Sequence, residues 1–97
     1  MKVFFFEDAK IEYEEAIAYY DRQRLGLGKE FSEEIEKTIE RISTDPTSWE
    51  KVTKTIHRCR TRKYPYGLLY EVQGEKIVIV AVMHLRRKPG YWKDRIE

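Results

Sequence analysis

The chain has 97 residues, of which 41% are hydrophobic and 37% are charged, and its formal net charge is +2. A chain of this length predicts one domain, residues 1–97, with an adequate but shallow core. No apolar run approaches the ~18 residues of a membrane-spanning helix, and the first residues lack the apolar stretch of a signal peptide. One cysteine cannot form an internal disulfide. We therefore expect a globular protein of the reducing cytoplasm with no membrane span.

The small net charge conceals an uneven distribution along the chain. Residues 7–50 contain 13 acidic and 6 basic residues, a balance of −7, whereas residues 51–97 contain 12 basic and 4 acidic residues, a balance of +8. This asymmetry indicates that the basic half meets an anionic partner, such as nucleic acid or an acidic peptide. The alternative is that helices collect Glu on their wet faces while strands collect Lys and Arg.

The first half of the chain predicts a strand and two helices. Residues 2–6 are mostly β-formers and favour a strand. Asp8 is a candidate N-cap for a helix over residues 9–24, whose apolar positions recur every three or four residues. Glycines at 26 and 28 separate it from a second helix over residues 29–43, which ends before Pro46. The short connection predicts an antiparallel helical hairpin.

The second half predicts strands. After a polar loop over residues 45–54, alternating or continuous apolar patterns predict strands at residues 55–62, 68–72 and 77–84, the last two joined by a tight turn. The last strand is apolar on both faces, which indicates burial on both sides. Residues 91–97 are expected to form a short helical turn. The predicted fold class is α+β, with order β-α-α-β-β-β and a helical hairpin packed on a curved, mainly antiparallel sheet of about four strands.

The sequence offers few residues for metal or nucleophilic chemistry. Two histidines and one cysteine are too few and too irregularly spaced for a zinc site, and there is no glycine-rich phosphate loop, so we expect no metal and no cofactor. Cys59 could pair with His57 or His84 as a nucleophile. The alternative, that Cys59 packs as a small apolar side chain, follows the usual habit of cysteine.

The chemistry of the chain changes where the last strand ends. His84 could act as a general acid or base, or simply cap the strand. Arg86 and Arg87 follow at once, and guanidinium groups bind phosphate in bidentate fashion. Tyr91 and Trp92 could stack on unpaired bases. Basic residues mixed with aromatic rings suit single-stranded nucleic acid, and equally a groove for an acidic, amphipathic peptide.

Several segments together carry a resemblance to a known family. They are Ala16-Ile17-Ala18-Tyr19-Tyr20 with Gly26-Leu27-Gly28-Lys29-Glu30-Phe31, Ile42 with Asp45-Pro46, Arg60 with Tyr64-Pro65-Tyr66-Gly67-Leu68-Leu69-Tyr70-Glu71-Val72, and the stretch from Ile79 to Trp92. In this order the chain resembles the RelE/ParE superfamily of toxins from type II toxin–antitoxin systems. The ending His84-x-Arg86-Arg87-x-Pro89-x-Tyr91-Trp92 is most similar to the ParE-like plasmid stabilisation branch.

The resemblance implies a toxin that inhibits growth until a cognate antitoxin masks it in a heteromeric complex. ParE-type members block DNA gyrase, whereas RelE-type members cut mRNA on the ribosome without a metal. For a gyrase inhibitor, the resemblance points to a target-binding set at the C-terminal end. Its members are Arg86, Arg87, Tyr91, Trp92 and Arg95.

For a metal-free nuclease, the implied catalytic set differs. His84 would move a proton, Arg60, Arg62 and Arg86 would hold the phosphate, and Tyr91 would donate a proton or stack on a base. The lysine-rich strand typical of the mRNA-cutting branch is present here only in part, as Lys51, Lys54 and Lys63. A third alternative is an inactive member that only binds its antitoxin.

Overall fold

The computed structural model describes residues 1–96. Two helices, α1 at Glu7–Gln23 and α2 at Leu27–Thr44, follow the first strand, β1 at Lys2–Phe5. The other strands are β2 at Glu50–Lys51, β3 at Ile56–Arg60, β4 at Tyr66–Gln73 and β5 at Lys76–His84. A 3-10 turn at Lys93–Ile96 ends the described chain. None of the helices within residues 1–96 is long and apolar enough to span a membrane.

Strand β5 is an interior strand of the sheet, between β1 and β4. The sheet has five strands in the order β1-β5-β4-β3-β2. β1 pairs with β5 in parallel, and β4 pairs with it antiparallel. Every residue from Ile77 to Met83 is buried. The prediction of a strand covered on both faces is therefore confirmed, because each face of β5 carries its own apolar layer.

The helical hairpin covers one face of the sheet. Its apolar stripe packs on inward residues of β3, β4 and β5; the fully buried members of this layer include Phe31, Ile35, Ile42, Cys59, Leu68, Tyr70, Ile77 and Ile79. The two helices approach closely at Gly28, whose backbone N–H donates to the Asp21 carboxylate at 2.8 Å. This layer carries most of the apolar burial that stabilises the domain.

The chain after β5 covers the opposite face. Trp92 is only 4% exposed and packs with Ile56, Leu69, Val80 and Met83. An indole buried in this way anchors the C-terminal end against the sheet. The segment around Trp92 is therefore part of the folded domain and has a fixed position relative to β5.

The structure differs from the sequence prediction at a short strand and at a helix start. The loop predicted over residues 45–54 contains β2, which pairs Glu50 with Arg58 and makes the sheet five-stranded. A two-residue strand is too short to show an alternating pattern. Asp8 is not the N-cap: Phe6 holds that position without a side-chain hydrogen bond, and α1 begins at Glu7. The earlier start follows from the Phe6 backbone, whose N–H bonds to Ile79 O at 2.9 Å while its carbonyl accepts from Lys10 N–H.

The ends of two further elements also shift. α2 begins at Leu27, because Gly26 adopts a positive φ of 90° and forms the turn by itself. The helical turn expected over residues 91–97 is a 3-10 turn at Lys93–Ile96, and position 97 of that expectation lies outside the described residues.

Candidate functional site

The predicted site residues share one end of the sheet but not one face. β3 ends where β4 begins, with Arg60 opposite Gly67, and β5 ends beside β4, with His84 opposite Tyr66. Paired residues share a face and successive residues alternate. Arg60 and His84 therefore extend from opposite faces of the sheet.

Arg62 lies beside α2 rather than beside His84. Glu34 is only 5% exposed, and its carboxylate accepts hydrogen bonds from the backbone N–H groups of Arg62 at 2.6 Å and Lys63 at 3.1 Å. The Arg62 side chain lines a groove along α2 together with Arg41 and Trp49. Arg62 is thus held against α2, whereas the C-terminal residues that were predicted to work with it follow β5.

The His84 ring is fixed by local contacts. The backbone N–H of Arg86 donates to His84 Nδ1 at 3.1 Å, and the ring stands edge-on to Tyr66 at 5.2 Å. Because a backbone N–H can only donate, Nδ1 is the acceptor and the neutral ring carries its proton on Nε2. In this geometry His84 can donate from Nε2, but its basic nitrogen is already occupied.

Tyr91 is held by a carboxylate of the first helix. Its hydroxyl donates to Glu12 Oε2 at 2.7 Å. Burial and the neighbouring Glu12 carboxylate together raise the pKa of Tyr91 well above its usual value. The ring supports two cations, with the guanidinium carbon of Arg87 3.9 Å and that of Arg95 5.1 Å from its centroid. Tyr91 is thus a poor proton donor but a firm aromatic platform for Arg87.

Glu12 collects four hydrogen bonds. Its Oε1 accepts from Val82 N–H at 3.0 Å and from Arg95 Nη1 at 3.0 Å, and its Oε2 accepts from Arg95 Nη2 at 2.8 Å and from Tyr91. Burial raises the pKa of the Glu12 carboxyl, but the hydrogen bonds from Arg95, Tyr91 and Val82 outweigh it and hold that pKa below its usual value. We call Glu12, Val82, Tyr91 and Arg95 the Glu12 cluster.

The predicted target-binding residues divide into supporting and exposed groups. Trp92 is buried, and the Arg95 side chain, 15% exposed, is occupied by Glu12, Val80 O and Asp8. Arg86 and Arg87 are exposed. In the free chain, Trp92 and Arg95 therefore support the segment, and Arg86 and Arg87 are the groups accessible to a partner.

Glu12 and Glu34 hold residues of the candidate site in place, and sequence reasoning did not single them out. Both lie on helices among other acidic residues, where a carboxylate usually faces solvent. Their partners are 70 to 83 positions away along the chain for Glu12 and 28 to 29 for Glu34. A local pattern carries no signal for contacts at such separations.

The structure also bears on Cys59 as a nucleophile and on metal binding. Cys59 is fully buried, and burial raises the pKa of its thiol. A protonated, buried thiol is a poor nucleophile, which supports the packing interpretation. Within residues 1–96, no group of three or more His, Cys, Asp and Glu side chains could hold a metal ion.

Comparison with known proteins connects this arrangement to a family. One solved structure, from the chromosomal ParDE toxin–antitoxin system of P. aeruginosa, superposes with a TM-score of 0.77 at 10% identity, covering 89% of this chain and 97% of that one. At this identity the likeness shows the fold alone. No curated protein matches the sequence significantly. Residues 3–89 match the family model described as ParE toxin of type II toxin–antitoxin system, parDE. The chain therefore belongs to the ParE toxin family of type II toxin–antitoxin systems.

Proposed function

We propose that this protein inhibits DNA gyrase in the cytoplasm and that a cognate antitoxin masks it in a heteromeric complex. The observation that carries the proposal is the exposed pair Arg86 and Arg87, which follows a buried strand, with the Arg87 guanidinium lying over the Tyr91 ring. Cations on a rigid support suit the capture of an acidic surface, because little side-chain freedom is lost on binding. Membership of the ParE toxin family supports the choice of gyrase.

The geometry favours binding over RNA cleavage. A metal-free nuclease needs a base, an acid and a phosphate clamp around one atom. Here the basic nitrogen of His84 accepts a backbone N–H, the Tyr91 hydroxyl is engaged by Glu12, and Arg60 extends from the other face of the sheet. Arg60, Arg62 and Arg86, the residues implied to hold the phosphate, are all exposed, and of these three Arg86 is the one whose backbone contacts His84.

The proposal is tested by replacing both exposed arginines. We expect Arg86→Ala with Arg87→Ala to abolish inhibition of DNA supercoiling by purified gyrase, and growth arrest on expression, while the domain still folds. The matched control removes two exposed cations from the helical hairpin, Arg22→Ala with Lys29→Ala, and should leave inhibition unchanged. Full inhibition by a folded Arg86/Arg87 double variant would show that the C-terminal end is not the target-binding site.

A second variant separates gyrase inhibition from RNA cleavage. We expect His84→Gln to retain gyrase inhibition, because no proton transfer is required of it. In a nuclease, loss of the general acid or base would reduce cleavage by ~10²-fold or more. Ribosome-dependent cutting of mRNA by the wild type, reduced in His84→Gln, would replace the gyrase proposal with the nuclease alternative.

The antitoxin is tested by co-expression. We expect the gene adjacent to this one to encode a protein that forms a stable complex with the chain and restores growth. If the wild-type chain causes no arrest but still binds that protein, it is the inactive, antitoxin-binding alternative.

A further inference from the structure

Strand β5 extends beyond the end of its parallel neighbour β1, and side chains form hydrogen bonds to the edge that β1 leaves uncovered. The last main-chain hydrogen bond on this side joins Phe6 N–H to Ile79 O. Past this point, Val82 N–H donates to Glu12 Oε1 at 3.0 Å and Val80 O accepts from Arg95 Nη1 at 3.0 Å. The Glu12–Arg95 ion pair thus satisfies the backbone groups of an otherwise open edge.

The Glu12 carboxylate also contacts Tyr91, the residue whose ring supports Arg87. Glu12 Oε2 accepts the Tyr91 hydroxyl at 2.7 Å, and the Tyr91 ring lies 3.9 Å from the guanidinium of Arg87. A path of direct contacts therefore runs from α1 through Glu12 and Tyr91 to Arg87. Trp92, buried on the sheet face, anchors the neighbouring backbone independently of this path.

We propose that Glu12 is a positioning residue for target binding: by holding the Tyr91 hydroxyl and Arg95 at the open edge of β5, it sets the location of the Arg87 guanidinium. The inference rests on the proposed function, since Arg87 is assigned there to the target. Glu12 itself is largely covered, with a side chain 12% exposed, and acts through Tyr91.

The chemistry of the cluster requires a carboxylate. All four groups that meet Glu12 are donors, namely a backbone N–H, two guanidinium N–H groups and a phenol O–H. Glutamine has one acceptor oxygen, and its NH₂ group would face a donor. Glu12→Gln therefore removes at least one contact and the negative charge while keeping the size of the side chain.

The first readout is the free protein. An arginine over an aromatic ring shows upfield ring-current shifts of its side-chain protons in NMR spectra. We expect these shifts for Arg87 in the wild type and in the control Glu14→Gln, an exposed glutamate on the same helix, and their loss in Glu12→Gln. Unchanged Arg87 shifts in folded Glu12→Gln would overturn the inference. This readout does not involve gyrase, so it is separate from any failure of the proposed function.

The second readout is binding. We expect Glu12→Gln to weaken gyrase binding roughly tenfold, on the scale of one charge-assisted hydrogen bond, while Glu14→Gln binds gyrase as the wild type does. Equal weakening in the two variants would show that the loss of a helix charge, rather than the contacts of Glu12, is responsible, and would overturn the inference. Should Glu12→Gln fail to fold, Tyr91→Phe removes a single hydroxyl and keeps the ring. We expect Tyr91→Phe to reduce both the ring-current shifts of Arg87 and the affinity for gyrase. If both stay at their wild-type values, the inference is overturned.

Discussion

At the scale of single residues, buried carboxylates fix the parts of this protein that carry its cations. Glu34 joins α2 to the turn between β3 and β4 through the backbone N–H groups of Arg62 and Lys63. The turn also contains Tyr64 at a φ of 70°, which is costly for a residue with a side chain. The Tyr64 ring packs edge-on against Tyr20 at 4.9 Å, which offsets that cost.

Replacing Glu34 should destabilise the domain through this turn. Glu34→Ala removes an acceptor that is 5% exposed and leaves two backbone N–H groups without their charged partner. We expect the free energy of unfolding in urea to fall by about 2–3 kcal/mol. Glu33→Ala, its exposed neighbour, should change it by about 0.5 kcal/mol or less. Equal effects of the two variants would contradict the role of the Glu34 contacts.

The lowered pKa of Glu12 predicts a pH dependence of stability. Its folded-state pKa lies below the unfolded value of 4.5, so its contribution is complete above pH 4.5 and is lost as the pH falls through the folded pKa. We therefore expect the stability difference between wild type and Glu12→Gln to be constant near neutrality and to shrink in acid. Unfolding curves at several pH values measure this difference. A difference that grows on acidification would contradict the assignment.

At the scale of elements, the helical hairpin depends on one close approach. A Cβ added at Gly28 would lie 2.6 Å from the backbone oxygen of Ile17 and 2.8 Å from Asp21 Cγ. Backbone atoms cannot yield as a flexible side chain can, so α1 and α2 would have to separate.

The corresponding prediction concerns Gly28→Ala. Although Ala favours helix over Gly by up to ~1 kcal/mol, we expect a net loss of about 1–2 kcal/mol in calorimetric or urea unfolding. The control is Gly74→Asn in the β4–β5 turn, where φ is +61° and no atom lies within 4 Å of an added Cβ. Asn tolerates this backbone region, so the control should be close to wild type. A stabilised Gly28→Ala would show that the hairpin has room to adjust.

The elements themselves were largely predictable from the sequence, and the exceptions have physical reasons. The apolar stripe of α2 packs against one layer, and the unbroken apolar run of β5 packs against two. In both elements the hydrophobic pattern of the sequence therefore agrees with the tertiary structure. β2 was not predicted, because Glu50 and Lys51 are polar and exposed, and two residues are too few to show an alternating hydrophobic pattern. The strand-end region that we propose as the site was identified from the sequence, but Glu12 was not, because its partners are defined by the fold.

At the scale of the whole molecule, the acidic and basic halves of the sequence become different surfaces. The helical hairpin carries most of the acidic residues and covers one face of the sheet, while the ends of β3 and β5 carry exposed arginines. Arg60, Arg62, Arg86 and Arg87 all follow or end these two strands. Because those strand ends lie at the same end of the sheet, the fold concentrates positive charge there.

If gyrase is the target, as we propose, the concentrated exposed charge predicts that the association depends on salt. Between about 0.05 and 0.5 M salt, we expect the association rate constant to fall roughly tenfold, because screening shortens the range over which the basic end of the sheet attracts an acidic surface. Surface plasmon resonance measures the rate. The double variant Arg86→Ala with Arg87→Ala should show a flatter dependence, whereas Arg22→Ala with Lys29→Ala should retain the wild-type slope. An association rate that is independent of salt would mean that contact area, rather than charge, brings the two proteins together.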